Sequence, residues 1–270
     1  REILVLLELK KIPVLVLSSS SRRQLYPREE MAGESSLKLF FLDPEDYLFA
    51  KGYLVNIGYE TDTLYPGVGE KMRIPGRFSV EIYDTFPFKT QVYQKGMGKL
   101  LQRTFLKENE NYIYEWKIID QLVYLMVQSS YLYVTGHLQI RHLADLYVFY
   151  RKTAAENQLQ DLEDRLKEFK VNILAQKLLH LSYMWFGTRE ECASMETKEE
   201  ELQVFDILEK NVFYGMTGKF GPETDEQALD LRSDILKEEE WENRMEKRAL
   251  FYRRLREFFS LVRRQLKELY

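Results

Sequence analysis

The spacing of apolar residues changes near residue 105, and this change constrains the fold more than any other feature of the sequence. Before it, apolar residues form short β-branched or aromatic runs, which are typical of strands. After it, they recur every three or four residues, which is typical of helices. The strand-like runs are PVLVL at 13–17, LKLFFL at 37–42 and FSVEIYD at 78–84. The helix-like segments are 111–133, 142–152, 159–185 and 236–270.

This change predicts an α+β protein with two parts. A small mixed-sheet α/β domain would occupy residues 1–105, and an all-helical domain would occupy residues 106–270. Within the first part, residues 1–11 have helical spacing ahead of Pro13, and 58–84 has the pattern of a strand, a loop and a strand.

The segment DPED predicts the start of a helix over 45–57. Asp43 is a typical N-cap residue, Pro44 suits the first helical position, and Gly58 suits the position that ends a helix. The apolar residues of this helix predict a buried face, which is made of Leu48, Phe49, Tyr53, Leu54 and Ile57.

The charge balance argues against a protein that coats nucleic acid, since 39 basic and 43 acidic residues give a net charge of −4. The single cysteine, Cys192, excludes an internal disulfide and fits a reducing compartment. No apolar run reaches the roughly 20 residues that a membrane span needs. We therefore expect a cytoplasmic protein without a membrane span.

Several familiar motifs point to no chemistry. The glycine-rich segments YPGVGEK, KGMGK and MTGKFG lack the spacing of a phosphate-binding loop and are typical of turns. His137 and His142 are five residues apart and would not share a helical face, so they do not predict a metal site.

A run of four serines follows the first predicted strand, in LSSSSRRQLYP at 17–27. Such a run is ordinarily a turn or an N-cap for the next helix. Arg22 stands at that predicted helix start, where a phosphate can bind.

The order of several weak motifs resembles one family. LELKKIPVLVLSSSSRRQLYPREEM and LKLFFLDPEDYLFAKGYLVNIGYE are similar to the opening of a bacterial family of largely uncharacterised nucleotidyltransferases, within the DNA polymerase beta-like superfamily. Members have a strand ending in LKG, a short helix ending in LYP, a GDID strand, a later VELH strand and a helical R-x-x-x-D element. The resemblance covers roughly residues 1–185.

The resemblance places the family's site on particular residues of this chain. LKG falls on residues 17–19, and the two carboxylates of GDID fall on Ser36 and Lys38. The carboxylate of VELH falls on Glu81, with Tyr83 where the family has histidine. The R-x-x-x-D element falls on the helical pair that would meet phosphate. Together with the serine run and the helix start at Arg22, this gives Ser18, Ser19, Ser20, Arg22, Arg141 and Asp145 as the predicted nucleotide-binding residues.

The family chemistry implied is Mg²⁺-dependent transfer of a nucleotidyl group from an NTP to an acceptor that the sequence does not identify. That chemistry uses two carboxylates two residues apart on one strand and a third from a neighbouring strand to hold the metal. Of these positions only Glu81 is acidic here, so Glu81 is the sole metal-ligand candidate. Lys38 would repel Mg²⁺ and pair with Glu81 instead, and the chain as written is expected to be inactive.

Three explanations of the altered motif remain open. The protein is a natural pseudoenzyme, or the site residues were changed or misassigned in this sequence, or Lys38 takes over the metal's positive charge beside a triphosphate. Alternatively, the chain is a non-catalytic nucleotide-binding or scaffold protein. It would hold a partner in the family's nucleotide-binding cleft or on its basic C-terminal helix.

The C-terminal segment 242–270 is basic, with nine Arg or Lys against four Glu, a formal charge of +5. Its apolar residues, from Phe251 to Leu269, form a stripe at helical spacing. A basic amphipathic helix can bind an anionic membrane or RNA, but it more often packs its stripe on its own domain. The basic residues are Arg244, Lys247, Arg248, Arg253, Arg254, Arg256, Arg263, Arg264 and Lys267.

Overall fold

A computed structural model gives the fold of most of the first 191 residues. The residues it describes are 2–18, 25, 26, 28, 36–65, 67–76, 78–88, 90–156, 158–188, 190, 191, 205, 208, 209, 212, 233 and 237. Over this part of the chain, every helix is too short or too polar to cross a membrane.

The described residues form seven strands and seven helices of six or more residues. The strands are β1 (Val14–Ser18), β2 (Ser36–Phe40), β3 (Glu60–Tyr65), β4 (Gly69–Arg73), β5 (Ser79–Tyr83), β6 (Phe105–Leu106) and β7 (Ile113–Glu115). The helices are α1 (Glu2–Leu9), α2 (Pro44–Asn56), α3 (Gln91–Leu101), α4 (Ile118–Thr135), α5 (Ile140–Ala155), α6 (Leu162–Lys167) and α7 (Asn172–Phe186).

The strands form one mixed sheet in the order β3-β4-β5-β2-β1-β7-β6. The central strand β2 runs parallel to β5 and antiparallel to β1, and β1 runs parallel to β7. The two hairpins β3–β4 and β6–β7 extend the sheet on opposite sides. The mixed α+β class predicted from the sequence is therefore correct.

Both faces of the sheet are covered, which gives three layers. Along β1, Val14 and Val16 enter one apolar cluster and Leu15 enters the other, because successive side chains of a strand point to opposite faces. The first cluster is closed by residues of α1 and α2. The second is closed by α3 to α7, together with Phe205, Leu208 and Val212.

The local signals for α2 are confirmed. The Asp43 side chain accepts a hydrogen bond from the Glu45 backbone N–H at 2.8 Å, and Pro44 opens the helix. Gly58 follows the helix with φ +94°, a conformation that glycine adopts without steric cost.

The buried face predicted for α2 is correct in part, since Leu54 is buried. Leu48, Phe49 and Ile57 are exposed, whereas Tyr47 and Ala50, which the spacing did not identify, are buried beside Leu54. Apolar residues lie on two sides of this helix, so spacing alone did not identify the side that the sheet covers.

Three predicted segments differ from the structure. The loop predicted inside 58–84 contains β4, whose residues pair with β3 and β5. The helix predicted over 111–133 begins only at Ile118, because residues 113–115 form β7 beside β1. The helix predicted over 159–185 is two helices, and Lys170 between them has φ +55°.

These differences also concern the predicted boundary at 105. The described residues after 106 are not all helical, since β7 belongs to the same sheet as β1. One apolar cluster joins Leu15 and Phe40 of the sheet to α3 to α7. The sheet and the helical layer therefore share a core.

A pair of glycines in α3 tests how tightly this core is packed. A Cβ on Gly96 would lie 2.5 Å from the buried ring of Phe169, whereas a Cβ on Gly98 would meet nothing within 4 Å. We expect Gly96→Ala to lower the free energy of unfolding by about 1–3 kcal/mol through overpacking. Gly98→Ala should raise it by up to about 1 kcal/mol, because alanine favours the helix. Urea denaturation of both variants measures this, and equal effects would contradict the packing.

Candidate functional site

The strand register places three charged residues side by side on one face of the sheet. Lys38 of β2 lies opposite Glu81 of β5, and Glu81 lies opposite Lys71 of β4. Val80 and Ile82 belong to the cluster beneath α1 and α2, so Glu81 faces the side of the helical layer α3 to α7. We call Lys38, Glu81 and Lys71 the Glu81 row.

The predicted alignment of positions 36, 38 and 81 on one face is therefore found. Ser36 lies two residues before Lys38 on β2, and its Oγ donates a hydrogen bond of 2.7 Å to Oε1 of Glu81. The Tyr83 hydroxyl donates to Oε2 of the same carboxylate. Both oxygens of Glu81, whose exposed fraction is 8%, thus accept a hydrogen bond inside the protein.

The surroundings keep Glu81 ionised. Burial by itself raises the pKa of a carboxyl group. Here the Lys38 ammonium, the Ser36 and Tyr83 hydroxyls and the Lys71 ammonium outweigh burial and hold the pKa of Glu81 below its ordinary value. The Glu81 row therefore carries one negative and two positive charges at neutral pH.

Tyr83 acts as a permanent donor to Glu81. Burial, followed by the negative charge of Glu81, raises the pKa of its phenol well above the ordinary value, so the hydroxyl stays protonated. The rings of Tyr83 and Tyr65 stack with centroids 6.1 Å apart. Gly69 lies between them in the register, and a Cβ there would be 2.1 Å from the Ile82 carbonyl oxygen. The close approach of β4 to β5 at this point thus requires glycine.

The serine run begins next to this row. The backbone of Ser18 ends β1 opposite Lys38, after an irregularity in the register at Leu17. Ser19, Ser20 and Arg22, which were predicted to bind nucleotide, lie outside the described residues. Cys192 and segment 242–270 also lie outside them.

The two residues of the R-x-x-x-D element have different surroundings. Asp145 is buried in α5 and accepts a hydrogen bond from the hydroxyl of Tyr26, which belongs to the QLYP motif. Arg141 lies exposed near the start of α5. The structure thus joins two motifs of the resemblance through residues that are 119 positions apart in the chain.

The donor set at the Glu81 row does not suit Mg²⁺. This ion is bound in proteins mainly through carboxylates and keeps several waters. Here one carboxylate stands between two ammonium groups, and its oxygens already accept from Ser36 and Tyr83. Over the described part of the chain, no three His, Cys, Asp or Glu side chains are grouped so that they could hold a metal ion.

Two other buried carboxylates are neutralised within the fold. Glu70 points to the other face of the sheet, where Lys51, Tyr47 and Thr61 contact it at 2.6, 2.8 and 2.6 Å. Asp120, in the first turn of α4, pairs with Arg165. These contacts tie α2 to the sheet and α6 to α4.

Sequence reasoning missed Lys71 and Tyr65 near Glu81, and Tyr26 as the partner of Asp145. Lys71 was placed in a loop, so its alternation with Gly69 and Arg73 along a strand was not recognised. Tyr26 belongs to the QLYP motif of the resemblance, and this motif was the sequence signal that could have identified it.

Comparisons with models of protein families, with curated proteins and with solved structures find no match to this chain. The resemblance to nucleotidyltransferases therefore remains a hypothesis based on the quoted motifs.

The charge of Glu81 gives a pH-dependent prediction. Its pKa is lower in the folded than in the unfolded chain, so it stabilises the fold above the unfolded pKa of about 4.3. This contribution is lost as the pH falls through the folded pKa. Glu81→Gln leaves two lysines without their carboxylate and should cost about 1–3 kcal/mol at pH 7. The cost should shrink below pH 4, and urea denaturation at pH 7 and at about pH 3.5 measures the difference.

Glu60→Gln is the control for this experiment, because Glu60 is an exposed residue at the start of β3. It should change stability by less than about 0.5 kcal/mol at either pH. A cost of Glu81→Gln that is the same at pH 7 and pH 3.5 would contradict the role of charge.

Proposed function

We propose that this protein binds the phosphate groups of a nucleotide at the Glu81 row without a divalent cation and does not transfer them. The observation that carries the proposal is the excess of positive charge in the row, together with the saturation of its one carboxylate. The resemblance supplies the expectation of a nucleotide, and the row supplies the expectation of phosphate.

Lys38 and Lys71 would supply the positive charge that recognises the ligand. Both are partly exposed, while the carboxylate between them is buried. An ammonium group on a long side chain is a compact charge with three donors, which suits a phosphate oxygen. Glu81 neutralises only one of the two lysines, so the row favours an anion.

Ser36 and Tyr83 would position Glu81 and leave the ligand to the lysines. Their hydroxyls donate to the two carboxylate oxygens, which prevents the carboxylate from turning towards an anion. Ser18 ends β1 opposite Lys38, so the serines for which the resemblance implies nucleotide binding come directly after the row in the chain.

Nucleotidyl transfer would lack its usual source of charge stabilisation here. In two-metal sites the ions activate the attacking hydroxyl and stabilise the leaving oxygen, at several kcal/mol. A lysine at position 38 can hold a phosphate but provides no metal-bound nucleophile. Binding without transfer is therefore the activity that this donor set supports best.

Calorimetric titration with ATP and then the other NTPs tests the proposal. We expect the same affinity with and without Mg²⁺. Lys71→Met should weaken binding about tenfold, since a charged hydrogen bond contributes about 1.5–3 kcal/mol. Lys95→Met removes an exposed lysine of α3 and should leave the affinity unchanged.

Each other outcome contradicts the proposal in a defined way. Binding that requires Mg²⁺ would mean that a metal site exists near Glu81. Covalent transfer of a labelled nucleotidyl group would mean that the protein is an enzyme. No binding of any NTP would favour the scaffold function.

Restoring the family carboxylates gives a second test. In Ser36→Asp/Lys38→Asp, three carboxylates would share one face of β2 and β5, and their repulsion should lower the melting temperature in the absence of metal. Mg²⁺ should bind and raise it again, because a ligand that binds only the folded state stabilises that state. The control is the unaltered chain, whose melting temperature should not respond to Mg²⁺. A double variant indifferent to Mg²⁺ would contradict the assignment of positions 36, 38 and 81.

A further inference from the structure

The outer side of α2 exposes a continuous apolar stripe. Leu48, Gly52 and Val55 are spaced by four and three residues, so they lie on one side of the helix, and Phe49 lies next to them. The exposed fractions of Leu48, Phe49 and Val55 are 63%, 51% and 51%. A Cβ on Gly52 would meet nothing within 4 Å. We call these four residues the α2 outer face.

Carboxylates stand at the N-terminal end of this face. Asp43, Glu45 and Asp46 fall within four residues of one another. Burial and the negative charges of Asp43 and Glu45 raise the pKa of Asp46, which shows that these carboxylates lie close together. Lys51 on the same helix is engaged by Glu70 on the sheet side at 2.6 Å.

The α2 outer face suits one kind of partner. An apolar stripe with an acidic end fits an amphipathic helix whose flanks are basic. Nine cations, four anions and an apolar stripe occur together in residues 242–270 of this same chain. As a helix, that segment would be about 43 Å long against about 20 Å for α2, so it is long enough to cover the stripe.

We propose that the α2 outer face is the docking surface for segment 242–270 of the same molecule, with the arginines around Phe251 and Leu255 meeting Glu45 and Asp46. The proposal is independent of nucleotide binding, because α2 covers the face of the sheet opposite to the Glu81 row. It gives a binding role to the apolar residues of α2 that do not pack in the core.

Thiol accessibility in the full chain tests the docking. Gly52→Cys, in a Cys192→Ser background, places one thiol in the centre of the α2 outer face. Its maleimide labelling should become about tenfold faster when Arg253, Arg254 and Arg256 are changed to Glu, which corresponds to the loss of about 1.4 kcal/mol of docking free energy. The matched control is Glu108→Cys on the exposed β6–β7 turn, whose labelling should be equal in both backgrounds.

A charge exchange keeps the test valid if the arginine variant unfolds in part. Glu45→Lys/Asp46→Lys alone should also increase the labelling of Gly52→Cys, and combination with the three arginine reversals should restore protection. Equal labelling in all backgrounds would overturn the proposal. Protection that rises with protein concentration would assign the surface to a second copy, which also overturns docking within one molecule.

Discussion

A buried carboxylate must be neutralised, and the register of three strands does this for Glu81. Lys38 and Lys71 stand beside it because β2 pairs with β5, and β5 with β4, at these particular residues. A shift of one residue in either pairing would turn a lysine to the opposite, apolar face. The ionic row and the apolar clusters therefore depend on the same register, since Val80 and Ile82 enter the core only when Glu81 faces the helical layer.

The candidate site lies where the charged Glu81 row meets the apolar cluster of the helical layer. Towards the carboxyl ends of β2 and β5, Phe40 belongs to the helical-layer cluster and Tyr83 packs against it. Two residues earlier on each strand stand Lys38 and Glu81, and Ser36 lies beyond them. Apolar packing thus borders the Glu81 row on the side of the carboxyl ends of β2 and β5.

Features set by neighbouring residues were predictable. Asp43, Pro44 and Gly58 define α2 through capping and backbone conformation, and these effects act within one turn. Features that depend on distant partners were not. The strand β7 has apolar residues that also fit a helical spacing, and its pairing with β1 and β6 selects the strand. The face of α2 that becomes buried was likewise decided by the sheet beneath it.

The sequence by itself determined the α+β class, the first strands and the helix start at Asp43, because short-range periodicity and capping are local properties. It also aligned Ser36, Lys38 and Glu81 through the resemblance, and the register places them on one face. Only the tertiary structure added Lys71 to that row, connected Tyr26 to Asp145 and left one side of α2 open. These contacts join residues far apart in the chain, and their formation depends on the free energy of packing the whole sheet between its two helical layers.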